Sequence, residues 1–327
     1  MKLQILVPHY DEPMETVLPL LESLALQQNV DFCEVGVIIC HDGEDISYFF
    51  PARYPFNINE IRIPHKGVSA ARNAALDAAT ADYVMFCDCD DMFFSSIGLW
   101  QVFREMGKGF DVLISEFLEE TRTSDTKEPI YIPRERNAVC VHGKVFRREF
   151  LVKNNIRWDE ALTIHEDSYF NILAQSVAKD VKYTQNAFYL WKWRDDSVCR
   201  RPENHTIKTY DKLIESNDRL VRELERRGMK DKAAYHTAGL IVDAFYTFNV
   251  PQWGEQETHY RDDAERRFLQ YAADHGDVFS HVDDSTLMHI SLDVLERFAL
   301  WKTLPRDFHI AQPKEIRKWF TDKRRNA

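Results

Sequence analysis

The sequence lacks any long apolar run. Its most hydrophobic stretches, such as residues 35–40, are a few residues long, whereas a membrane-spanning helix needs about 20 consecutive apolar residues. The N-terminus also lacks the long apolar core of a signal peptide, because residues 3–7 form a strand-like pattern that meets Pro8 at once. We therefore expect a cytoplasmic protein that does not span a membrane.

Paired cysteine motifs are also absent. The six cysteines are scattered and none forms a C-x-x-C pair, although Cys87 and Cys89 flank Asp88. Scattered cysteines in apolar segments are typical of reduced, buried thiols in a cytoplasmic protein. Because alternate residues of a strand face the same way, Cys87 and Cys89 are expected to pack beneath a strand end, with a soft-metal site as the alternative.

Positive charge is in deficit. The 42 Lys and Arg residues face 53 Asp and Glu residues, a net charge of −11, so nucleic-acid binding is not the default expectation. The exception is residues 314–325, a basic segment with Ile316, Trp319 and Phe320 at helical spacing. This pattern predicts a packed helix with a solvated basic end. The alternative is a peripheral anchor on acidic lipid at the inner face of a membrane.

Strands and helices alternate over residues 1–100. Apolar strands are predicted at 3–7, 34–40 and 83–87, and the Ala-rich residues 67–79 between them have the composition of a helix. Such alternation predicts an α/β fold, with a parallel sheet covered by helices on both faces. Mixed strands and helices follow to about residue 200, and residues 119–128 are polar enough to predict a loop or hairpin tip.

The character of the chain changes near residue 205. Apolar residues recur at helical spacing from Ile207 to Leu224, and helical patterns continue over 233–248 and 262–273. We therefore divide the chain into an α/β domain of residues 1–204 and a helical C-terminal region of residues 205–327.

Acidic clusters follow three successive predicted strands, at residues 9–12, 41–45 and 88–91. Ligands of such sheets bind beyond the carboxyl ends of the strands, so these clusters are expected to share one rim. The carboxylates of Asp88, Asp90 and Asp91 raise one another's pKa unless a cation or a donor lies between them. Mg²⁺ and Mn²⁺ prefer carboxylate and phosphate oxygens, so a divalent cation that also binds a diphosphate suits this cluster.

Six motifs now form an ordered set. They are residues 7–13 (VPHYDEP), 41–45 (HDGED), 67–73 (GVSAARN), 86–91 (FCDCDD), 165–170 (HEDSYF) and 191–200 (WKWRDDSVCR). Their order resembles that of family 2 glycosyltransferases, in which the fourth motif is Asp-x-Asp-Asp. The resemblance covers about residues 1–200. It implies a GT-A type fold, which is a Rossmann-like, nucleotide-binding mixed sheet, here with a helical C-terminal region.

The resemblance also implies an activity. Family members are inverting enzymes that use a sugar nucleotide, so we expect a hexosyltransferase-like enzyme that takes a UDP-sugar as donor and a hydroxyl group as acceptor. The expected acceptor is a glycan, a lipid-linked molecule or a polymer. The helical region 205–327 is expected to bind the acceptor, to form a homo-oligomer or to contact a membrane surface.

Roles for single residues follow from the same resemblance. Asp90 is the expected ligand of Mn²⁺ or Mg²⁺, and Asp88 either joins it or reaches the ribose. Asp167 is the expected general base, with Glu166 orienting it or binding the acceptor, although either of the two carboxylates could be the base. The residues expected to bind the nucleotide sugar are Pro8, Tyr10, Glu12, Asp42, Arg72, Asp88 and Arg194.

Other side chains have open roles. Asp42 would recognise the base and Tyr10 would stack near it, while Lys192 and Arg200 would join Arg194 at the diphosphate. His142 and His165 would complete the metal shell or line the acceptor site. His41 stands where the family often has Asp, and residues 195–197 (DDS) stand where it often has Gly-Ser.

Two alternatives remain. A sugar-phosphate nucleotidyltransferase shares the α/β style but needs a Gly-rich loop after the first strand, where this chain has residues 8–13 (PHYDEP). A non-catalytic relative with a GT-A-like fold would bind a glycan or act as a scaffold through the helical region.

Overall fold

The chain forms two compact units, Met1–Asp195 and Asp196–Ala327. The computed structural model describes residues 1–43, 54–123, 126–195, 206–249, 258–301 and 309–325. The division between the units therefore falls at residue 195, a little before the boundary expected from the sequence. The roles expected for the two domains stay predictions.

The first unit is built on a mixed sheet. Its described strands are β1 (Leu3–His9), β2 (Val35–Asp42), β3 (Asn57–Ile63), β4 (Tyr83–Phe86), β5 (Met92–Phe93), β6 (Val112–Arg122), β7 (Pro129–Arg134), β8 (Lys144–Arg147) and β9 (Val181–Trp191). Their order is β3-β2-β1-β4-β8-β6-β9-β5, with β7 paired to β6. Strands β1 to β4 are mutually parallel, whereas β8 pairs antiparallel with both β4 and β6.

Helices cover this sheet, which buries a continuous apolar core. The described helices of the first unit are α1 (Met14–Ala25), α2 (Val68–Ala78), α3 (Gly98–Met106), α4 (Arg148–Lys153) and α5 (Glu166–Val177). Every residue of β1 and β2 is buried, as their apolar sequences require in a sheet covered on both faces. Cys87 and Cys89 lie in this core, beneath the end of β4.

The second unit is helical. Its described helices are α6 (Tyr210–Arg226), α7 (Lys230–Asn249), α8 (Thr258–Phe279), α9 (Asp284–Trp301) and α10 (Pro313–Arg325). Together with the mixed Rossmann-like sheet, this unit confirms the predicted fold class, a GT-A type α/β fold with a helical C-terminal region.

Helix α10 packs its apolar side inward. Ile316 and Phe320 are buried in the core of the helical unit, and Trp319 packs against that core. The apolar residues that an interfacial anchor would use are therefore covered within the unit, so a membrane contact through the basic residues alone stays a prediction. Over the described ranges, no helix combines the length and the apolar character that crossing a bilayer requires.

Gly98 and Gly239 give opposite expectations for stability. A Cβ at Gly98 would lie 2.4 Å from the Cβ of Phe188, whereas a Cβ at Gly239, inside α7, would meet nothing within 4 Å. Overpacking should make Gly98→Ala less stable by about 1–3 kcal/mol. Gly239→Ala should be more stable by about 1 kcal/mol, because Ala is the better helix former. Urea denaturation of both variants tests this, and shifts of the same sign would contradict it.

Candidate active site

Three motifs meet at one edge of the sheet. Because β1, β2 and β4 are parallel, their carboxyl ends lie side by side, with His9 opposite His41 and Leu6 opposite Phe86. Of the residues predicted to bind the nucleotide sugar, Tyr10, Glu12 and Asp88 lie in the turns after β1 and β4, and Pro8 and Asp42 lie near the ends of β1 and β2. Glu44 and Asp45 of the second motif lie outside the described residues.

Asp91 fixes the turn that follows β4. Its buried carboxylate accepts hydrogen bonds from the Tyr189 hydroxyl and from the Lys192 amide, the latter at 2.9 Å. The Asp88 amide in turn donates to the Tyr189 hydroxyl at 3.2 Å. Asp91 therefore ties the turn to the end of β9, which sets the positions of Asp88 and Asp90.

Arg72 joins the two halves of the predicted site. It lies in the second turn of α2 and is only 3% exposed. Its Nη2 donates to Asp88 Oδ1 at 2.8 Å, and its Nη1 donates to Glu166 Oε1 at 3.1 Å and to Asp167 Oδ1 at 3.0 Å. One guanidinium thus joins Asp88, the carboxylate predicted to bind the donor, to Glu166 and Asp167, the two candidates for the general base.

Arg194 meets the second carboxylate of the Asp-x-Asp pair. Its Nη1 donates to Asp90 Oδ2 at 2.9 Å, and both side chains are about one-quarter exposed. Arg194 is therefore close enough to the Asp88–Asp91 turn to meet a diphosphate bound there. Arg200, which was expected to help at the diphosphate, lies outside the described residues.

Lys144 is a buried cation that the sequence reasoning missed. It begins β8 with its side chain fully buried, donates to the Cys140 carbonyl and lies near Asp167. Burial lowers the pKa of Lys144 to about 8, although the charge of Asp167 opposes this shift. A lysine inside the apolar run of residues 139–146 was the one signal in the sequence that could have revealed it.

The carboxylates outnumber these basic groups. Arg72, Arg194 and Lys144 face a larger set of carboxylates, namely Asp88, Asp90, Asp91, Glu166 and Asp167. Burial and the charge of Asp88 raise the pKa of Asp90, despite the opposing charge of Arg194. Burial and the charge of Asp167 raise the pKa of Glu166 to about 7. The site therefore carries negative charge that its arginines do not balance.

This uncompensated charge fits a divalent cation. Asp88 and Asp90, the predicted ligands, offer the hard oxygen donors that Mg²⁺ and Mn²⁺ prefer. A second donor set shares Asp88, because Asp88, Asp91 and His142 each place one ligand atom within 4.8 Å of the others. His142 stacks on both Tyr189 and Trp191, and its Nδ1 lies 3.6 Å from Asp91 Oδ2. By charge and donor chemistry, the residues present fit the metal that the resemblance implies.

Asp42 organises the turn that leads into α2. Its buried carboxylate accepts the amides of Lys66 at 2.7 Å and Gly67 at 2.8 Å, and its Oδ2 lies 2.9 Å from His65 Nδ1. The ring of Tyr10 stacks on His65, with 4.3 Å between centroids. His65, which the sequence reasoning missed, therefore links the two residues predicted at the nucleotide base. Asp42 as the base-recognising group stays a prediction.

The remaining predicted residues surround β1. Pro8 is buried within this strand, and the Glu12 carboxylate accepts the Tyr10 amide at 2.9 Å. His9 and His41 lie with their Nδ1 atoms 3.1 Å apart, and His41 Nε2 lies 2.9 Å from Glu60 Oε2. Burial lowers the pKa of His41. A buried histidine pair therefore occupies the place of the acid that the family often has.

Removing Arg72 should destabilise the fold in a pH-dependent way. Arg72→Met leaves three partly buried carboxylates without their shared cation, which should cost about 3–5 kcal/mol near pH 8. The loss should be smaller near pH 5, because the unpaired carboxylates then have raised pKa values and take up protons. Urea denaturation at the two pH values measures both losses.

Arg226→Met is the matched control. Arg226 bonds both oxygens of Glu223 at 2.7 Å, but the pair lies on the surface of α6, with the Arg226 side chain 65% exposed. Its loss should cost less than about 1 kcal/mol. Equal losses for the two variants, or an Arg72→Met loss that does not change with pH, would contradict the assignment of Arg72 as the central cation.

Two bacterial proteins resemble this chain in sequence. Escherichia coli (strain K12) YibD, described as an uncharacterized glycosyltransferase, is 25% identical over 253 residues, which cover 69% of this chain and 71% of YibD. Bacillus subtilis (strain 168) EpsJ, described in the same way, is 26% identical over 237 residues, which cover 62% of this chain and 67% of EpsJ.

Solved structures of Staphylococcus aureus TarS share the fold. The TarS 1–349 complex with UDP superposes with a TM-score of 0.59 at 17% identity and covers 98% of this chain and 92% of that one. The complex with UDP-GlcNAc gives a TM-score of 0.57 at 16% identity and covers 100% of this chain and 89% of that one. At these identities, the likeness establishes the fold alone.

The family model of Glycosyl transferase family 2 matches residues 4–171. This span is more than half of the 327-residue chain and runs from β1 into α5. It includes Arg72, the Asp88–Asp91 turn and the Glu166–Asp167 pair. This chain therefore belongs to Glycosyl transferase family 2.

Proposed function

We propose that this protein is an inverting, hexosyltransferase-like enzyme that moves a sugar from a UDP-sugar to a hydroxyl acceptor. The observation that carries the proposal is the bonding of Arg72 to both Asp88 and the Glu166–Asp167 pair, which unites donor-binding and base residues. Family membership supports it, as do the UDP and UDP-GlcNAc complexes of TarS, whose fold is similar.

The donor end of the site is built for a nucleoside diphosphate. Tyr10 and His65 form a stacked pair beside Asp42, where a base would lie, and Arg194 supplies a fixed positive charge near the Asp88–Asp91 turn. Asp90 and Asp88 would hold Mn²⁺ or Mg²⁺, which supplies Lewis-acid stabilisation of the leaving diphosphate when bound. Through that cation, Asp88 and Asp90 would hold the diphosphate, and Asp42 and Tyr10 would hold the nucleotide base.

The acceptor end uses the carboxylates of α5. In an inverting transfer, the acceptor oxygen bonds to the sugar's anomeric carbon on the face opposite the breaking bond to the diphosphate, and its proton must leave. Asp167 takes this proton. Arg72 holds its Oδ1, and the Val141 amide holds its Oδ2 at 3.0 Å. Glu166 orients the acceptor or Asp167.

A non-catalytic glycan-binding or scaffold protein is the second candidate. The observation that favours it is the pairing of both Asp-x-Asp carboxylates with arginines, Asp88 with Arg72 and Asp90 with Arg194. These arginines compete with a cation for the same oxygens. A wild-type protein that binds a sugar nucleotide or a glycan but turns over neither would favour this candidate.

Asp90→Ala should abolish metal-dependent turnover. We expect Mn²⁺-dependent release of nucleoside diphosphate from a panel of sugar nucleotides to fall by about 100-fold or more, because the metal supplies several kcal/mol of charge stabilisation. Asp82→Ala is the matched control, since Asp82 is exposed just before the amino end of the same strand β4. A wild-type-like Asp90→Ala enzyme would remove the metal from the proposal.

Turnover should rise with pH through about 7. The base must be ionised, and the pKa of Glu166 is raised to about 7 by burial and by Asp167, whose own pKa burial also raises. The pair should therefore take up a proton, and kcat should fall, as the pH drops below this value. A pH–rate profile measures the inflection.

Two amide variants assign the base. Asp167→Asn should lose most activity at every pH, whereas Glu166→Gln should stay active with its inflection moved to lower pH, because a neighbouring acid has gone. The reverse result, an inactive Glu166→Gln and an active Asp167→Asn, would make Glu166 the base.

A further inference from the structure

Arg72 lies against the indole ring of Trp158. The guanidinium carbon is 4.3 Å from the ring centroid, and Trp158 is 2% exposed. Phe170 of α5 stacks parallel to the same ring, with 4.2 Å between centroids and 3° between planes. Two groups this close to the centroid cannot share one face. The indole is therefore held between the Arg72 guanidinium and the Phe170 ring.

Asn73, the next residue along α2, holds the backbone of Trp158. Its Nδ2 donates to the Trp158 carbonyl at 2.9 Å, and its Oδ1 accepts the Trp158 amide at 3.0 Å. Asn73 is 5% exposed, and its Nδ2 also meets Glu160 Oε1 at 3.0 Å. Consecutive residues of one helix thus bind the peptide and the ring of Trp158.

Trp158 itself belongs to no helix or strand. It lies in the irregular segment between α4 and α5, so no backbone ladder fixes its position. Its place depends on the Asn73 amide and on the ring contacts. Two buried side chains of α2, Arg72 and Asn73, therefore fix the position of a tryptophan that lies in an irregular segment.

The orientation of Arg72 needs such a support. Its Nη atoms bond three carboxylates, but its buried Nε has no hydrogen-bond partner among the described residues. Nothing on the Nε side therefore fixes the plane of the guanidinium through a hydrogen bond. The face of the indole adds a packing constraint to that of the three Nη hydrogen bonds, because a guanidinium prefers to lie over an aromatic ring.

We propose that Trp158 is a positioning residue for sugar transfer, an inference that rests on the proposed function. The indole holds the Arg72 guanidinium in the orientation in which Nη2 meets Asp88 and Nη1 meets the Glu166–Asp167 pair. Asn73 secures the indole in turn. Trp158 acts only through Arg72 and touches no substrate.

Trp158→Leu should lower kcat far more than it changes the KM for the donor. A guanidinium shifted by about 1 Å misplaces the reacting groups, which can cost roughly 100-fold in rate. Trp158→Phe keeps an aromatic face for Arg72 and should recover most of the lost kcat. A Trp158→Phe enzyme as slow as Trp158→Leu would overturn the proposal.

Phe146→Leu is the matched core control. Phe146 is also fully buried and packs against Phe170, with 5.5 Å between ring centroids, but it lies on β8, and among the described residues no ring contact joins it directly to Arg72. The Phe146→Leu enzyme should have a lower free energy of unfolding in urea, but it should not show the fall in kcat expected for Trp158→Leu. If Trp158→Leu and Phe146→Leu lose kcat in the same proportion to stability, Trp158 has a structural role only.

A double-mutant cycle with Arg72→Lys separates action through Arg72 from independent damage. Contacting residues that act as a unit give non-additive losses. In the Arg72→Lys enzyme, Trp158→Leu should therefore lower kcat by less than about threefold further, against the much larger loss in the wild-type background. Fully additive losses would overturn the proposal.

A spectroscopic measurement distinguishes this proposal from the function on which it rests. In the ¹⁵N-arginine-labelled full chain, the Arg72 Nε–H signal should be displaced by the indole ring current and should keep its position in Phe146→Leu. It should lose that displacement in Trp158→Leu. If the wild-type chain transfers no sugar but shows this pattern, the proposed function fails and the Trp158–Arg72 contact stands. If the signal is unshifted in the wild type, the positioning role fails whatever the activity.

Discussion

The bonding of one buried guanidinium to three carboxylates is the interaction on which this site depends. Asp88 comes from the turn after β4, whereas Glu166 and Asp167 come from the first turn of α5, far away in the sequence. Without a cation between them, these carboxylates would repel one another and would favour protonation. Burial and the charges of its three partners oppose each other at Arg72, and the charges prevail, so its pKa is raised. The guanidinium is therefore ionised at every physiological pH.

The other carboxylates at this edge of the sheet are also stabilised by nearby hydrogen-bond donors. Asp91 is satisfied by a hydroxyl and an amide from β9, Asp90 by Arg194, and Asp42 by amides at the start of α2. Each carboxylate thus has a donor of its own, yet the sum remains negative. Such a surplus of buried negative charge is costly, and a ligand that carries positive charge relieves it. A divalent cation is a ligand of this kind.

Part of this architecture follows from the sequence alone. The apolar strands β1, β2 and β4 predicted the parallel half of the sheet, and the acids after them predicted that these side chains meet at one edge of it. The antiparallel half was harder to predict. Residues 119–128, expected to be a loop or a hairpin tip, do belong to the β6–β7 hairpin, but residues 119–122 are still strand, and Glu119 pairs with Arg134 across the hairpin. Nothing in the sequence indicated which side chains contact the predicted site residues in the folded protein. Trp158 meets Arg72 across more than 80 positions, a contact that no spacing rule encodes.

The tether between Asp91 and β9 has a consequence for biosynthesis. The partners of Asp91 are the Tyr189 hydroxyl and the Lys192 amide, about 100 positions further along the chain. A nascent polypeptide that has emerged only as far as α5 already contains the acids and Arg72, but it lacks the two groups that bond Asp91. The parallel strands can pair early in translation, whereas Asp91 gains its partners only when β9, the last described strand of the first unit, has left the ribosome and inserted between β6 and β5.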